Sequence, residues 1–173
     1  MIPGVKSSGI NGPAGRGGTV YRVTNLNNDG AGSLKACVDA SGPRVCVFEV
    51  SGAITLADDL TVRNPNITIA GQTAPSPGIM LRNAGLLVQT SNVLVQHLHV
   101  RPGDDPAGEP ASNRDALKIE GPANQAPISN IVIDHCSFTW SLDEVASAWQ
   151  NWNNVSLINN IFAEPLHESI HPE

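Results

Sequence analysis

Positive charge is the first thing that this sequence has little of. Its 173 residues include ten Lys and Arg against 16 Asp and Glu, a formal net charge of −6, and they contain no basic run. Proteins that bind nucleic acid through its backbone cluster their positive charge on one face or along one helix. The composition therefore argues against nucleic acid as the main partner. It leaves open an anionic partner that is held through a bound cation.

Long hydrophobic stretches are also lacking. The longest apolar runs are far shorter than the about 20 residues that a membrane-spanning helix needs, so we expect no membrane partner. Residues 1–18 are rich in Gly, Ser and Pro and lack the apolar region of a signal peptide, so any export signal is expected to have been removed or never present. Charged residues make up only 15% of the chain, and its 16 Gly and 13 Pro indicate many turns, which favours a β fold.

Cysteines are few, and their spacing does not resemble a zinc site. Cys37 and Cys46 flank the turn Ser41-Gly42-Pro43, so they either form a disulfide across the bend or are two small buried side chains. Both alternatives stay open at this point. Cys136 lies in an apolar run and is interpreted as a thiol of the core.

One motif recurs along the chain, and each copy begins with an asparagine followed by alternating aliphatic residues. The asparagines are Asn66, Asn92, Asn130 and Asn154, at steps of 26, 38 and 24 residues. Steps of this length are typical of solenoid coils, whose apolar edges are buried only by stacking. The pattern predicts an all-β, parallel β-helix, with an Asn ladder along the stack and an insertion at about 101–113 in the longest step. A β-sandwich is the competing architecture, but recurrence of one motif favours the solenoid.

The layout predicts one domain over residues 1–173. We expect a flexible segment at 1–18, a cap region at 19–50 with a short helix that begins at Ser33, and coils over 51–173. The far end shows no capping pattern. We therefore expect either further coils beyond it or self-association that covers it.

Several segments along nearly the whole chain resemble the pectate lyases of polysaccharide lyase family 1. They are Gly17–Asn27 (GGTVYRVTNLN), Gly32–Ala36 (GSLKA), Phe48–Gly52 (FEVSG), Ile67–Pro75 (ITIAGQTAP) and Ile133–Ser137 (IDHCS). The resemblance implies a right-handed parallel β-helix, secretion by a bacterium, and Ca²⁺-assisted β-elimination of polygalacturonate, an acidic polysaccharide. It also implies that the arginine acting as base lies beyond Glu173. A substrate-binding lysine is expected near the place where this chain has Glu173 itself.

Three carboxylates are the candidate metal ligands. Asp115 follows the predicted insertion, and the resemblance implies that the matching aspartate of the family binds calcium; Asn113 is expected to assist it. Asp143 and Glu144 lie one coil further on. Adjacent residues of a strand point to opposite faces, so at most one would join Asp115 unless a turn intervenes, and Asp143 is preferred. The alternative for each is a solvated carboxylate.

Arg101, Arg114 and His171 are the candidate substrate contacts. A guanidinium matches the carboxylate of a sugar with two hydrogen bonds, and both arginines flank the predicted insertion. The competing interpretation is a solvated loop. The three tryptophans, which either stack on sugar rings or pack in the core, are Trp140, Trp149 and Trp152.

Three functions follow from these residues. The first is a calcium-dependent lyase of a uronic-acid polysaccharide, and the second is a non-catalytic β-helix that binds carbohydrate but lacks the base. The third is a glycoside hydrolase on the same solenoid, which would use Asp115, Asp143 and Glu144 as its acids.

Overall fold

A computed structural model describes residue 2 and residues 4–172. Within these residues it contains one α-helix, α1 (Leu34–Asp39), two short 3-10 helices (Gly71–Thr73 and Ala111–Asn113) and fifteen strands. In chain order the strands are β1 (Thr19–Val23), β2 (Arg44–Phe48), β3 (Gly52–Thr55), β4 (Leu60–Val62), β5 (Ile67–Ala70), β6 (Ile79–Arg82), β7 (Leu86–Val88), β8 (Val93–Gln96), β9 (Leu98–Arg101), β10 (Leu117–Glu120), β11 (Ile128–Asp134), β12 (Ser137–Thr139), β13 (Ala146–Trp149), β14 (Trp152–Ile158) and β15 (Ile161–Ala163).

The strands form three parallel sheets that the chain visits in turn. Sheet A is β1-β2-β5-β8-β11-β14, sheet B is β3-β6-β9-β12-β15, and sheet C is β4-β7-β10-β13. Each strand pairs with the strand one coil earlier or later, always in parallel. This is a parallel β-helix, and parallel crossovers of this kind are right-handed in nearly all proteins. The predicted fold is confirmed.

The register of sheet A reproduces the spacing of the repeat. Ile67 pairs with Val93, Val93 pairs with Ile131, and Ile131 pairs with Val155, each one residue after a motif asparagine. Ile67, Val93 and Ile131 are fully buried, because alternation along each strand turns them inward onto the same apolar column.

Three of the four motif asparagines are joined in the predicted ladder. Asn66, Asn92, Asn130 and Asn154 all have positive φ angles, from 50° to 62°, a conformation that asparagine tolerates better than most residues. Asn92 Nδ2 donates to Asn66 Oδ1 at 2.9 Å, and Asn130 Nδ2 donates to Asn92 Oδ1 at 3.0 Å. The side-chain amides thus add to the backbone pairing between coils, which continues at these positions, as from Asn92 N to Ser129 O at 2.9 Å.

The long coil step contains two extended connections. Residues 102–116 join β9 to β10, whereas residues 83–85 suffice between β6 and β7 one coil earlier. We call residues 102–116 the insertion. A second long connection, residues 121–127, joins β10 to β11, and the sequence did not predict it. Both connections flank β10, so they surround the outer face of sheet C.

The front end is closed by helix α1. Ser33 is its N-cap, and its Oγ accepts a hydrogen bond from Ala36 N at 3.1 Å. The helix packs Leu34, Cys37 and Val38 onto the core. Cys37 is joined to Cys46 of β2 by a disulfide with Cα atoms 5.9 Å apart, which resolves the alternative left open by the sequence.

The N-terminal segment that was expected to be flexible packs on the outer face of sheet A. Ile10 and Ala14 are buried against Leu94 and Val132, two apolar side chains that point outward from their strands. Gly15 lies so close to the sheet that a Cβ would overlap the backbone of Arg44. Small residues in the segment and apolar residues on the sheet together explain the contact.

The far end of the solenoid shows no cap among the described residues. Leu157 in β14 and Ile161 in β15 are 43% and 60% exposed, although both lie in paired strands. Within residues 2 and 4–172 there is no helix that is long and apolar enough to cross a membrane.

Candidate metal centre

Asp115 lies at the turn that brings the insertion into β10. Its side chain is held by two hydrogen bonds from the next coil, because Oδ2 accepts from Ser147 Oγ at 2.6 Å and Oδ1 accepts from Glu144 N at 3.2 Å. The residue is only 3% exposed. Asp115 is therefore a fixed carboxylate whose position depends on β13 and on the turn that precedes it.

Asp143 and Glu144 belong to that turn, between β12 and β13. Its backbone is bonded to the Asp115 segment, since Leu142 N donates to Arg114 O at 3.1 Å and Ala116 N donates to Glu144 O at 3.2 Å. One carboxylate oxygen from each of Asp115, Asp143 and Glu144 lies within 4.8 Å of the others. Asp143 and Glu144 both approach Asp115 because they lie in a turn and not in a strand. From the sequence, both were expected to do so only if a turn intervened.

The negative charges of these three residues, called the carboxylate cluster below, repel one another. Burial, followed by the charges of Asp115 and Asp143, raises the pKa of the Glu144 carboxyl. A cation between the three groups would remove the repulsion. Ca²⁺ fits this donor set, because it is a hard ion that takes six to eight oxygen ligands, and three carboxylates leave coordination positions for water or for a substrate oxygen.

A cavity of about 240 Å³ opens beside the cluster, over the outer face of sheet C. Besides the cluster it is lined by Asn113, Lys118, Glu120 and Trp149. The Trp149 ring is well exposed. The cavity thus combines acidic groups that suit a cation with an exposed aromatic surface that suits the face of a sugar.

Lys118 was not singled out from the sequence, although alternation from the buried Leu117 places it on the outer face. Its Nζ forms an ion pair with Asp59 Oδ2 at 2.6 Å, donates to Asn113 O at 2.7 Å and lies 3.9 Å from Glu109 Oε1. Asn113, expected to assist the metal, donates through Nδ2 to Glu109 Oε1 at 2.8 Å. Lys118 thus ties the insertion to sheet C beside the cluster.

One carboxyl in the group formed by Asp59, Glu109 and Lys118 has a shifted pKa. Burial, followed by the neighbouring Asp59, raises the pKa of Glu109 to about 7. Lys118 balances the two carboxylates, because its ammonium lies within ion-pair distance of both. This group is distinct from the carboxylate cluster, but Asn113 and Lys118 line the cavity as well.

Arg101, Arg114 and His171, the candidate substrate contacts, do not line this cavity. Arg114 is 1% exposed, and its guanidinium donates to the carbonyls of Gly103 at 2.7 Å and Asp105 at 3.0 Å, and to that of Glu109. It organises the insertion from inside, so we withdraw it as a substrate contact. His171 is half-buried near the far end. Glu173, where the resemblance placed a lysine, lies outside the described residues.

Arg101 lies on another face of the solenoid. It ends β9 on the outer side of sheet B, where its guanidinium contacts Ser137 Oγ at 3.4 Å and lies 5.8 Å from the centre of the Trp140 ring. The sequence placed it beside the insertion, which is correct. It is remote from the carboxylate cluster because β9 belongs to sheet B, whereas the cavity of the cluster is lined by residues of β10 and β13 in sheet C.

Known proteins share both the sequence and the solenoid of this chain. The chain is 36% identical over 166 residues to probable pectate lyase C of Aspergillus oryzae, covering 95% of this chain and 37% of that protein. It is 30% identical over 168 residues to pectate lyase 5 of Ambrosia artemisiifolia, covering 87% of this chain and 40% of that protein. No protein-family model matches the chain.

The fold comparison agrees with the sequence comparison. The crystal structure of Jun a 1, the major allergen from cedar pollen, superposes with a TM-score of 0.69 at 22% identity, over 88% of this chain and 47% of that one. The chain is therefore a homologue of the pectate lyases. It spans somewhat more than a third of the length of the curated relatives that it matches.

Proposed function

We propose that this chain takes part in the Ca²⁺-dependent β-elimination cleavage of polygalacturonate or a related uronic-acid polysaccharide. The observation that carries the proposal is the meeting of Asp115, Asp143 and Glu144 in one cavity of a pectate lyase homologue. The three ligands come from neighbouring coils, and backbone hydrogen bonds join the segments that carry them.

Elimination from a uronide requires that the proton on C5 become more acidic. Bound Ca²⁺ would neutralise the C6 carboxylate and so stabilise the negative charge that develops when the proton leaves. Asp115, Asp143 and Glu144 would hold the ion. Ser147 and the backbone N–H of Glu144 fix Asp115 for this task, because both donate to its carboxylate.

The remaining walls of the cavity suit a polymer. Trp149 offers an exposed ring on which a sugar can stack, and Lys118 keeps the insertion against sheet C through its contacts with Asp59 and Asn113. The resemblance to the pectate lyases implies that the base is an arginine on a later coil. The cluster residues would hold the cation instead, and Lys118 is held in its ion pair with Asp59.

A glycoside hydrolase is less favoured, because the relatives that the chain matches are pectate lyases. The carboxylate oxygens of the cluster lie within 4.8 Å of one another. Three negative groups this close suit a shared cation better than an acid and a base with separate tasks.

We further propose that the protein acts outside the cytoplasm and meets an acidic polysaccharide there. The Cys37–Cys46 disulfide supports an oxidising compartment. A bound cation would also help a chain with a net charge of −6 to hold a polyanion.

The test combines binding and turnover. Calorimetry should show that the protein binds Ca²⁺, and that Asp115→Asn weakens binding at least tenfold, because the variant removes one charge from the cluster. With polygalacturonate and the full-length polypeptide, which is expected to supply the base, the ultraviolet absorbance of the unsaturated product should rise with Ca²⁺ and stay flat with EDTA. Asp29→Asn, an exposed carboxylate in the loop before α1, is the matched control and should behave like the wild type. Equal Ca²⁺ affinity of the wild type and Asp115→Asn would contradict the proposed metal centre.

A further inference from the structure

Two arginines lie side by side on the outer face of sheet B. Arg82 ends β6 and Arg101 ends β9, and the two are direct partners in the register of the sheet. Both side chains point outward, because the preceding residues Leu81 and Val100 are fully buried in the core. Neighbouring strands are about 4.8 Å apart, so two positive charges extend from one small area of an otherwise acidic protein.

Neither arginine has an acidic partner within ion-pair distance among residues 2 and 4–172. Arg82 Nε donates to Thr55 Oγ1 at 2.9 Å, and Arg101 contacts Ser137 Oγ at 3.4 Å, so the hydroxyl groups orient the guanidiniums without neutralising them. Like charges at directly opposed positions of a sheet destabilise it. An anion bound between the two guanidiniums would remove that repulsion.

A cavity of about 250 Å³ lies over the pair; Trp140 forms one wall of it, and Asp104 and Asp105 of the insertion line it as well. The ring is 45% exposed, and the Arg101 guanidinium lies 5.8 Å from its centre. Trp140 has a φ of 59°, which is rare for a bulky residue. Hydrogen bonds at 2.9 Å hold its backbone there, from Trp140 N to Glu164 O and from Gly103 N to Trp140 O. The structure thus holds an aromatic ring open to solvent beside two cations.

We propose that this face of sheet B is a second carbohydrate site, which binds a uronic-acid residue without a metal ion. Arg82 and Arg101 would bind the sugar carboxylate, since guanidiniums match that group with paired hydrogen bonds. Trp140 would stack on the sugar ring. The choice of a uronate rests on the proposed function, but binding at this site needs neither the carboxylate cluster nor catalysis.

The site and the carboxylate cluster lie on opposite sides of the insertion. Residues 102–105 border the arginine cavity, whereas Asn113 and Asp115 border the other. A polysaccharide long enough to reach both would be held at two places, and linked contacts raise the effective affinity without any new interaction. The second site would therefore favour polymers over short oligomers.

The probe is trigalacturonate in buffer that contains EDTA, so that the carboxylate cluster is without metal. Calorimetry should detect binding, and the Arg82→Gln/Arg101→Gln double variant should weaken it at least tenfold. Trp140→Leu should also weaken binding, and galactotriose, which lacks carboxylates, should not bind. Arg63→Gln removes an exposed arginine elsewhere and is the control for loss of positive charge, expected to bind like the wild type. Thermal unfolding of each variant confirms that it is folded.

Two results would overturn the second site: no binding of trigalacturonate in EDTA, or binding that the folded double variant retains in full. Unchanged affinity of Trp140→Leu would remove the stacking contact from the proposal. Asp115→Asn distinguishes this test from that of the proposed function. It should leave binding in EDTA intact, while it lowers the affinity for Ca²⁺.

Discussion

Replacing Glu109 with Gln tests whether the Glu109 carboxyl, which helps to hold the insertion against sheet C, has a raised pKa. Burial and then Asp59 raise the pKa of Glu109 from 4.5 to about 7. The unfolded chain releases this proton near pH 4.5, whereas the folded chain retains it until about pH 7. The folded state therefore loses stability as the pH rises through this interval. The shift in pKa corresponds to a loss of at most about 3 kcal/mol in the free energy of unfolding.

An amide cannot ionise in this range, so the Glu109→Gln variant should not show this loss. Relative to the wild type, its free energy of unfolding should rise by about 2–3 kcal/mol between pH 4.5 and pH 8. The amide oxygen of the variant can still accept the bond from Asn113 Nδ2 that Glu109 Oε1 accepts in the wild type. Urea unfolding followed by circular dichroism at several pH values measures the difference.

The control for this experiment is Glu164→Gln, which changes an exposed glutamate near the far end of the chain. Its stability should follow that of the wild type across the whole pH range. If the difference between Glu109→Gln and the wild type stays constant from pH 4.5 to pH 8, Glu109 ionises normally, and the account of the Asp59–Lys118–Glu109 group is wrong.

Two further predictions concern the solenoid itself. Asn92→Ala removes both ladder hydrogen bonds of Asn92 and leaves alanine at a φ of 61°, so the free energy of unfolding should fall by about 2 kcal/mol in urea titrations. Asn124→Ala, which changes an exposed asparagine, is its control. Equal stability of the two variants would contradict the stabilising role of the ladder. Replacing both Cys37 and Cys46 with Ser opens the disulfide that joins α1 to β2 and should lower stability by about 2–3 kcal/mol. Reduction of the wild type should have the same effect, and no change in either case would show that the bond contributes nothing.

The repeat could be predicted from the sequence because neighbouring coils of a solenoid are stacked in register. The length of a coil therefore appears as the spacing between copies of the motif. Residues that follow Asn66, Asn92, Asn130 and Asn154 pair directly in sheet A, so counting from one asparagine to the next gives the register. The same logic brought Asp115 close to the 143–144 pair, since positions one coil apart stack on the same face.

The orientation and the burial of single side chains could not be predicted in this way. Arg114 is adjacent to Asp115 but is buried, because carbonyls of the insertion satisfy its guanidinium, and an irregular loop has no periodicity that would reveal this. The contact of the N-terminal segment was missed for a related reason. Leu94 and Val132 are apolar residues on an outer face, and only the three-dimensional structure shows that Ile10 and Ala14 cover them.

A crystal structure of the protein grown with Ca²⁺ would show whether the carboxylate cluster is a calcium site. We expect one ion bound to Asp115, Asp143 and Glu144, whose carboxylate oxygens lie within 4.8 Å of one another, at metal–oxygen distances of about 2.3–2.6 Å. Crystals of Asp115→Asn grown in the same way should lack the ion. A wild-type structure at millimolar Ca²⁺ with no ion at the cluster, or with Ca²⁺ bound only elsewhere, would contradict the proposed calcium site.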